Sequence, residues 1–363
     1  MFYTKLTLSL ALTALSLNGC NTTQTAVKDV EKTVSVKDKK IAELLAKMTL
    51  AEKCGQLNFV VGSILTGPSL AEPKSSADLD AQIRSGQITG VFNTNGAKNI
   101  RHLQEVAVKE SRLGIPLLIG ADVVHGYKTV TPIPLGEAAS WDLAAIEKSA
   151  AMAAAECAAT GINLTFAPMV DISRDARWGR VAEGSGEDPY LGSLIAAAKV
   201  RGYQGKNLAA ANTIAACVKH FAAYGAPEGG RDYNTVDMSE RRLRETYLPP
   251  YKAAVEAGAA SFMNSFNDLN GVPATANTHL VNDILRKEWG FKGLVMSDWA
   301  SIEELMAHGV AADRSEAGTL AMNAGCDMDM MSFIYSKELP QLVKSKKVDI
   351  KGYSEAFSMF FFF

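Results

Sequence analysis

The amino-acid sequence predicts an α/β fold in which about eight parallel strands close into a (β/α)8 barrel. Short apolar runs alternate along the chain with longer stretches of helical composition. The runs are apolar throughout, which is typical of parallel strands whose sheet is covered by helices on both faces. An open, doubly wound sheet is the alternative fold. No glycine-rich nucleotide-binding motif opens any of the helical stretches, so a nucleotide site has no support.

The clearest predicted strands lead into polar residues at their C-terminal ends. They are 116–121 before Asp122, 162–168 before Asp171, 215–218 before Lys219 and His220, 260–263 before Asn264, and 293–297 before Asp298. Weaker candidates are 55–61, 89–93 and 324–330. In a closed parallel barrel these ends share one face, where active sites of this fold lie.

The predicted helices alternate with these strands and carry their own start and stop signals. They span 142–159, 189–202, 239–258, 278–290 and 315–325. Gly161 supplies a glycine cap to the first. The Pro249-Pro250 pair is expected to kink or split the third, because proline lacks the backbone N–H that the helix needs.

Composition bounds the function. The chain has 363 residues, 47% hydrophobic and 21% charged, with a formal net charge of −2. This balance excludes a disordered chain and gives no reason to expect nucleic acid as a partner. A barrel of roughly 250 residues accounts for most of the length, and we assign it to residues 41–345.

The N-terminal 40 residues have the pattern of an export signal followed by a tether. Lys5 precedes an apolar run over 6–17, which ends before Cys20. Residues 1–20 resemble a bacterial lipoprotein signal, in which Cys20 becomes the lipid attachment site. A plain signal peptide is the alternative. Residues 21–40 are polar and lysine-rich, as in a tether. We therefore predict a periplasmic protein anchored to the membrane by lipid.

The remaining cysteines are widely spaced and contain no CxxC pair, so a zinc site is not indicated. They are Cys54, Cys157, Cys217 and Cys326. Export makes disulfides possible, but the apolar surroundings of these residues favour buried free thiols.

Three features could carry chemistry. Asp298 directly follows a predicted strand and could be a nucleophile, a base, a metal ligand or merely the N-cap of a helix over 301–306. Lys219-His220 could form a Schiff base, bind hydroxyls, hold a carboxylate ionised or be solvent-exposed. Asp122 could accept hydrogen bonds from two adjacent hydroxyls. It lies near His125, but no spacing specifies a metal site.

The segment 171–188 is rich in charged residues, glycine and proline, and is expected to form a long ordered loop above the barrel mouth rather than a buried element. Trp178 stands between Arg177 and Arg180, which favours packing into a site over a solvated surface loop.

Several motifs, in this order, resemble family 3 glycoside hydrolases and are most similar to the bacterial periplasmic β-glucosidase type. They are ADVVHG (121–126), FAPMVD (166–171), RWGR (177–180), GEDPY (186–190), VKHF (218–221), YNT (233–235) and GLVMSDW (293–299). The match runs from about residue 41 to residue 342.

The resemblance implies a retaining β-glycosidase that removes terminal non-reducing β-D-glucosyl residues from oligosaccharides or aryl glucosides. Asp298 matches the nucleophile that forms a covalent glycosyl-enzyme. Four residues match those that bind the hydroxyls of the terminal sugar in the family: Asp122, Arg180, Lys219 and His220. Trp299 matches an aromatic residue on the leaving-group side, and Phe266 falls where the family usually has tyrosine. No metal or organic cofactor is implied.

A retaining mechanism also needs a second carboxyl as acid and then base. In most of the family a glutamate on a second, α/β sandwich domain supplies it, and we expect that domain to be absent here. A minority branch uses a His-Asp pair, but residues 222–232 contain no histidine. The alternative acids on this chain are Glu183, Glu187 and Glu228.

The segment 346–363 ends in consecutive phenylalanines, which would be an aggregation hazard if exposed. We interpret it as the aberrant tail of a truncated or frame-shifted product. The expected function is therefore β-glucosidase-type hydrolysis impaired by a missing acid, unless a separate polypeptide supplies that half. A non-catalytic sugar-binding remnant is the alternative.

Overall fold

The computed structural model describes residues 39–62 and 76–349. The chain divides into a short unit, Met1–Ala46, and a main unit, Lys47–Phe363. Within the short unit the described residues, 39–46, are helical. The predicted signal, Cys20, nearly all of the tether and most of the predicted tail lie outside the described residues. All features below belong to the main unit.

The strands of the described residues are short and lie mostly where apolar runs predict them. They are β1 (Asn58–Val61), β2 (Gly90–Phe92), β3 (Leu118–Ala121), β4 (Leu164–Thr165), β5 (Ala215–Phe221), β6 (Ser261–Asn264), β7 (Asp268–Leu269), β8 (Val272–Pro273), β9 (Leu294–Met296) and β10 (Asp329–Met330). β7 and β8 form a separate antiparallel hairpin.

The other strands form one parallel sheet in the order β10-β1-β2-β3-β4-β5-β6-β9. A parallel bridge between Met296 and Met328 joins the two ends of this order, and the Ser297 N–H donates to the Met328 carbonyl at 2.8 Å. The sheet therefore closes on itself. This confirms the predicted (β/α)8 barrel and excludes the open doubly wound sheet.

Helices fill the connections between strands. The α-helical segments are Leu50–Gly55, Ser76–Arg84, Ala97–Glu105, Pro134–Ala139, Leu143–Thr160, Pro189–Gln204, Glu240–Arg242, Pro249–Glu256, Glu304–Ala307, Arg314–Ala324, Ile334–Lys337 and Leu339–Lys344. Val106–Glu110, Leu243–Tyr247 and His279–Glu288 are π-helical. Among the described residues, none of these helices is long and apolar enough to cross a membrane.

Local sequence signals explain the helix ends. The Asp142 carboxylate accepts the Ala145 N–H at 2.9 Å, and Gly161 adopts φ 94° after Leu143–Thr160, where a residue with a Cβ would be strained. The predicted helix over 239–258 is split before Pro249, as expected from the missing N–H of proline.

Successive strand residues point to opposite sides of the barrel wall and build two cores. Val60, Val91 and Val295 pack outward in a cluster that includes residues of the surrounding helices. Their neighbours Phe59 and Phe92 point the other way and pack with inward residues of other strands, among them Leu118, Leu164, Met263 and Met330. The barrel interior is thus filled, and a ligand can enter only at its ends.

One detail corrects the sequence prediction, and another confirms it. β5 continues to Phe221, so Lys219 and His220 lie inside the strand rather than after it. The four described cysteines are buried free thiols, which confirms that interpretation over disulfides: Cys54, Cys157, Cys217 and Cys326.

Candidate active site

The C-terminal mouth of the barrel brings together the polar residues that follow or end its strands. Asp122 follows β3, Lys219 and His220 lie near the end of β5, and Asp298 comes two residues after β9. Because these strands are parallel, their carboxyl ends meet at one face. Side-chain contacts pair Lys219 with Asp122 and His220 with Asp298.

Asp298 has two oxygen atoms in different environments. Oδ1 accepts the Trp299 N–H at 2.6 Å, whereas Oδ2 is buried and has no hydrogen-bond partner among the described residues. Burial raises the pKa of Asp298 to about 6, against the Trp299 N–H and the cations Lys219 and Arg180, which lower it. The following helix begins at Glu304 and has Glu303 at its N-cap, so the N-cap interpretation of Asp298 is wrong.

Lys219 is buried and pairs with a carboxylate that is open to the mouth. Its Nζ donates to Asp122 Oδ1 at 2.7 Å. Burial disfavours the ammonium ion, but Asp122 and Glu183 more than offset this, and the pKa of Lys219 is raised. A Schiff base needs a neutral amine, so the charge on Lys219 argues against that chemistry and favours hydroxyl binding.

His220 links the mouth to the buried part of the site. Its Nε2 faces Asp298 Oδ2 at 3.5 Å, and its Nδ1 lies 2.8 Å from Asp171 Oδ2. Burial lowers the pKa of His220, and Arg180 and Lys219 act in the same direction. The ring is therefore neutral at ordinary pH.

Arg180 reaches the mouth from the charged loop over 171–188. It donates to Glu183 through Nε at 2.7 Å and through Nη2 at 3.0 Å, and it lies 5.5 Å from the centre of the Tyr224 ring. Trp178 is buried, and its Nε1–H donates to Asp232 at 2.8 Å. These contacts confirm an ordered loop held by ion pairs.

Asp171, which the sequence analysis assigned to a loop rather than a buried element, is almost completely buried.

Aromatic residues line the same region. Trp299 is partly buried and packs edge-to-face on Phe92, with ring centres 5.4 Å apart. Phe266 is buried against Tyr224 and Tyr233, with ring centres 5.7 and 4.6 Å away. The sequence analysis included Tyr233 only as part of the YNT motif and gave no role to Tyr224, because an aromatic residue in a loop does not by itself indicate a site.

Of the acid candidates named from the sequence, one is paired with an arginine and two are exposed. Glu183 is engaged by Arg180, and Glu187 and Glu228 are exposed. Glu304, which sequence reasoning missed, differs: burial and the charge of Asp298 raise its pKa to about 7. Its position on the first turn of a helix looks like an ordinary surface glutamate.

His125 does not join the group. It is exposed, and its Nδ1 lies 3.2 Å from the Thr131 carbonyl of its own loop. Among the described residues, no cluster of three histidine, cysteine, aspartate or glutamate side chains has an arrangement that could hold a metal ion.

Comparison with known proteins places this arrangement in a family. The family model "Glycosyl hydrolase family 3 N terminal domain" matches residues 49–357. The chain is 47% identical over 324 residues to the periplasmic beta-glucosidase of Salmonella typhimurium, covering 89% of this chain and 41% of that protein. It is 36% identical over 294 residues to a beta-xylosidase of Formosa agariphila, covering 77% and 41%.

Solved structures give the same result. The beta-glucosidase from Listeria innocua in complex with isofagomine superimposes with a TM-score of 0.82 at 42% identity, covering 89% of this chain and 45% of that one. A mutant of that enzyme in complex with laminaribiose gives 0.81 at 42% identity, covering 89% and 46%. The chain thus spans less than half the length of these relatives.

Proposed function

Because this chain belongs to glycosyl hydrolase family 3, we propose that its barrel carries the nucleophile side of a retaining β-glucosidase site, with Asp298 as the nucleophile. The observation that supports this most directly is Asp298 Oδ2, a buried carboxylate oxygen without a hydrogen-bond partner among the described residues. A free oxygen can form the covalent bond to the sugar. The cations Lys219 and Arg180 favour its ionised form.

The sugar-binding groups in this proposal surround that oxygen. The half-exposed Asp122 carboxylate accepts hydrogen bonds from glucosyl hydroxyls, while Lys219 and Arg180 donate to hydroxyl oxygens. His220 Nε2 lies on the same side as Asp298 Oδ2. Trp299 offers an aromatic face toward the leaving group. Two relatives named beta-glucosidase support a β-linked glucosyl substrate.

The leaving group is where this chain is expected to be weak. Glu183 is tied to Arg180, and Glu187 and Glu228 are exposed, so no contact among the described residues holds any of them against Asp298. General acid catalysis contributes about 10²–10⁴-fold. We therefore propose that this chain acts slowly on oligosaccharides and faster on aryl glucosides whose leaving groups need no proton.

The test is covalent trapping with an activated aryl 2-deoxy-2-fluoro-β-glucoside, followed by peptide mass spectrometry. We expect one glycosyl adduct on Asp298 and none on the Asp298→Asn variant. Glucose binding measured by calorimetry without any adduct would overturn catalysis and support the non-catalytic sugar-binding alternative. A rate of aryl glucoside cleavage that does not depend on the pKa of the leaving group would contradict the proposal that protonation of the leaving group is inefficient.

Export is a separate proposal. The relative from Salmonella typhimurium is named periplasmic, and the apolar run before Cys20 has the pattern of a lipoprotein signal. We expect the full chain to fractionate with membranes and Cys20→Ser to release it. A Cys20→Ser chain that stays with the membrane would contradict lipid attachment at this residue.

A further inference from the structure

Beneath the mouth lie two fully buried polar side chains to which the proposed reaction gives no role, Asp171 and Tyr251. Asp171 Oδ1 accepts the Tyr251 hydroxyl at 2.7 Å, and Asp171 Oδ2 accepts the His220 backbone N–H at 3.0 Å. The same Oδ2 lies 2.8 Å from His220 Nδ1. The Tyr251 oxygen is also 2.5 Å from the His220 carbonyl. Both side chains thus make polar contacts with His220.

These contacts determine which nitrogen of His220 carries the proton. An ionised carboxylate only accepts hydrogen bonds, so Nδ1 must donate to Asp171. In a neutral ring the other nitrogen, Nε2, is then an acceptor. It faces Asp298 Oδ2 at 3.5 Å, and that oxygen has no hydrogen-bond partner in the described part of the chain.

We propose that Asp171 and Tyr251 are positioning residues that hold His220 in its Nδ1-protonated form, so that Nε2 cannot donate to Asp298 and the attacking oxygen stays free. The opposite tautomer would place an N–H against Oδ2 and occupy the lone pair that forms the glycosyl bond. The consequence for the rate rests on the proposed function of Asp298. The assignment of the tautomer does not.

The electrostatic surroundings are consistent with a neutral ring. The titratable and charged groups that face His220 from the elements around it are Asp171, Asp298, Arg180, Lys219, Tyr224 and Tyr251. Burial, Arg180 and Lys219 lower the pKa of His220. Burial raises the pKa of Asp171 to about 7, while the Tyr251 hydroxyl and the His220 N–H oppose that rise. The test is therefore made at pH 8, where Asp171 is ionised.

The experiment measures the tautomer directly. The sequence contains five histidines, so long-range ¹H–¹⁵N spectra of the full chain labelled with ¹⁵N-histidine are simple, and His220→Gln identifies the signal of interest. In the wild-type chain we expect His220 to be protonated at Nδ1 alone. In Asp171→Asn, whose amide can donate to Nδ1, we expect the proton to move to Nε2.

The same variants are assayed for adduct formation with the fluoroglucoside. Asp171→Asn is expected to lose at least about tenfold in rate, since a wrong histidine tautomer costs up to about 10⁴-fold in a Ser-His-Asp triad. Tyr251→Phe keeps the carboxylate, so we expect it to retain the Nδ1–H form and to lose less.

Matched controls separate this role from simple burial. Asp329 is a buried carboxylate bonded by the backbone N–H groups of Ser332, Ile334 and Tyr335, and the Tyr203 hydroxyl is buried against the Val123 carbonyl. Asp329→Asn and Tyr203→Phe should leave the His220 signal and the trapping rate per folded molecule unchanged.

Each outcome decides one question. A wild-type chain that forms the adduct but carries its His220 proton on Nε2 overturns this inference. So does an Asp171→Asn chain with an unchanged His220 signal. A wild-type chain with the Nδ1–H form but no adduct overturns the proposed function instead. If Asp171→Asn does not fold, the wild-type spectrum alone still decides the tautomer.

Discussion

Two buried lysines in this barrel show how the same ion pair can serve structure in one place and a binding site in another. Lys199 Nζ lies 2.6 Å from Glu137 Oε2, and the two side chains are 6% and 5% exposed. Lys219 Nζ lies 2.7 Å from Asp122 Oδ1, but the exposed fractions are 5% and 51%. The first pair is closed within the helical layer, and the second opens to the barrel mouth.

The surroundings of the two lysines differ accordingly. Burial lowers the pKa of Lys199, although Glu137 opposes it. For Lys219 the carboxylates of Asp122 and Glu183 more than offset burial, and the pKa is raised. A closed pair satisfies its own charges and contributes only to folding. An open pair keeps acceptor oxygens free for a ligand, so its effect should be on activity.

The largest expected effect is the loss of one partner of the closed pair. Lys199→Met leaves the Glu137 carboxylate buried without its cation, which costs about 3–5 kcal/mol in the free energy of unfolding. Chemical denaturation measures it. Lys199→Met combined with Glu137→Leu should recover most of the loss, because no buried charge remains. A single variant within about 1 kcal/mol of wild type would contradict a closed, charged pair.

The open pair should behave in the opposite way. Asp122→Asn keeps the shape but removes the charge, and a hydrogen bond to a charged group is worth about 1.5–3 kcal/mol, so adduct formation should slow by about 10–100-fold. The free energy of unfolding should fall by less than in Lys199→Met, because Asp122 is half exposed and the asparagine oxygen can still accept from Lys219 Nζ. Asp175→Asn, on an exposed ion pair, is the control. If Asp122→Asn lost much stability but no rate of adduct formation, the open pair would serve structure as the closed pair does, and the distinction would be wrong.

Asp298 allows the two roles to be measured on one residue. Its pKa is raised from 3.8 to about 6 in the folded chain, so the ionised form destabilises the fold. That penalty is fully present above about pH 6 and vanishes as the pH falls below 3.8. Asp298→Asn should therefore abolish the adduct. It should also raise the free energy of unfolding by on the order of 1–3 kcal/mol at pH 8.

Paired thermal melts of Asp298→Asn and wild type across pH 4–8 provide the check. The gain should shrink toward pH 4, where Asp298 is protonated in the folded chain and its unfolded-state pKa of 3.8 is close to the pH. An equal gain at every pH would mean that the buried charge is not its cause.

The smallest effect is expected at a third ion pair, which lies in the same loop as Arg180. Arg177 Nη2 lies 2.6 Å from Asp175 Oδ2, but the arginine side chain is 72% exposed. Surface pairs contribute about 0–1 kcal/mol, so Arg177→Ala should change neither the melting temperature nor the trapping rate by much. A rate loss as large as that of Asp122→Asn would instead make Arg177 part of the site.

Sequence reasoning predicted the barrel because parallel strands buried on both faces must be apolar along their whole length. The helix ends at Asp142 and Gly161 followed from capping chemistry, which is local. Positions after predicted strands singled out Asp122, Lys219, His220 and Asp298, and the family resemblance gave them their expected roles. The structure brings them to one mouth. Their roles in catalysis stay predictions until the adduct is measured.

Other residues could not be found this way. Asp171 was interpreted as part of an exposed loop because charged residues surround it in the chain, yet it is buried beneath His220. Tyr251 lies 80 positions away from Asp171, in a helix whose sequence gives no indication of a functional site. Glu304 resembled a surface residue. These contacts join segments that are far apart in the chain, which no local pattern encodes.

The sequence by itself determined the fold class, the helix caps and the residues of the mouth, because periodicity, capping and motif order are properties of neighbouring residues. The tertiary structure alone decided which of those residues are open and which are closed. Exposure and the direction of each hydrogen bond depend on distant segments packed together. Those two quantities distinguish Lys219 from Lys199, and within the described part of the chain they leave one oxygen of Asp298 without a hydrogen-bond partner.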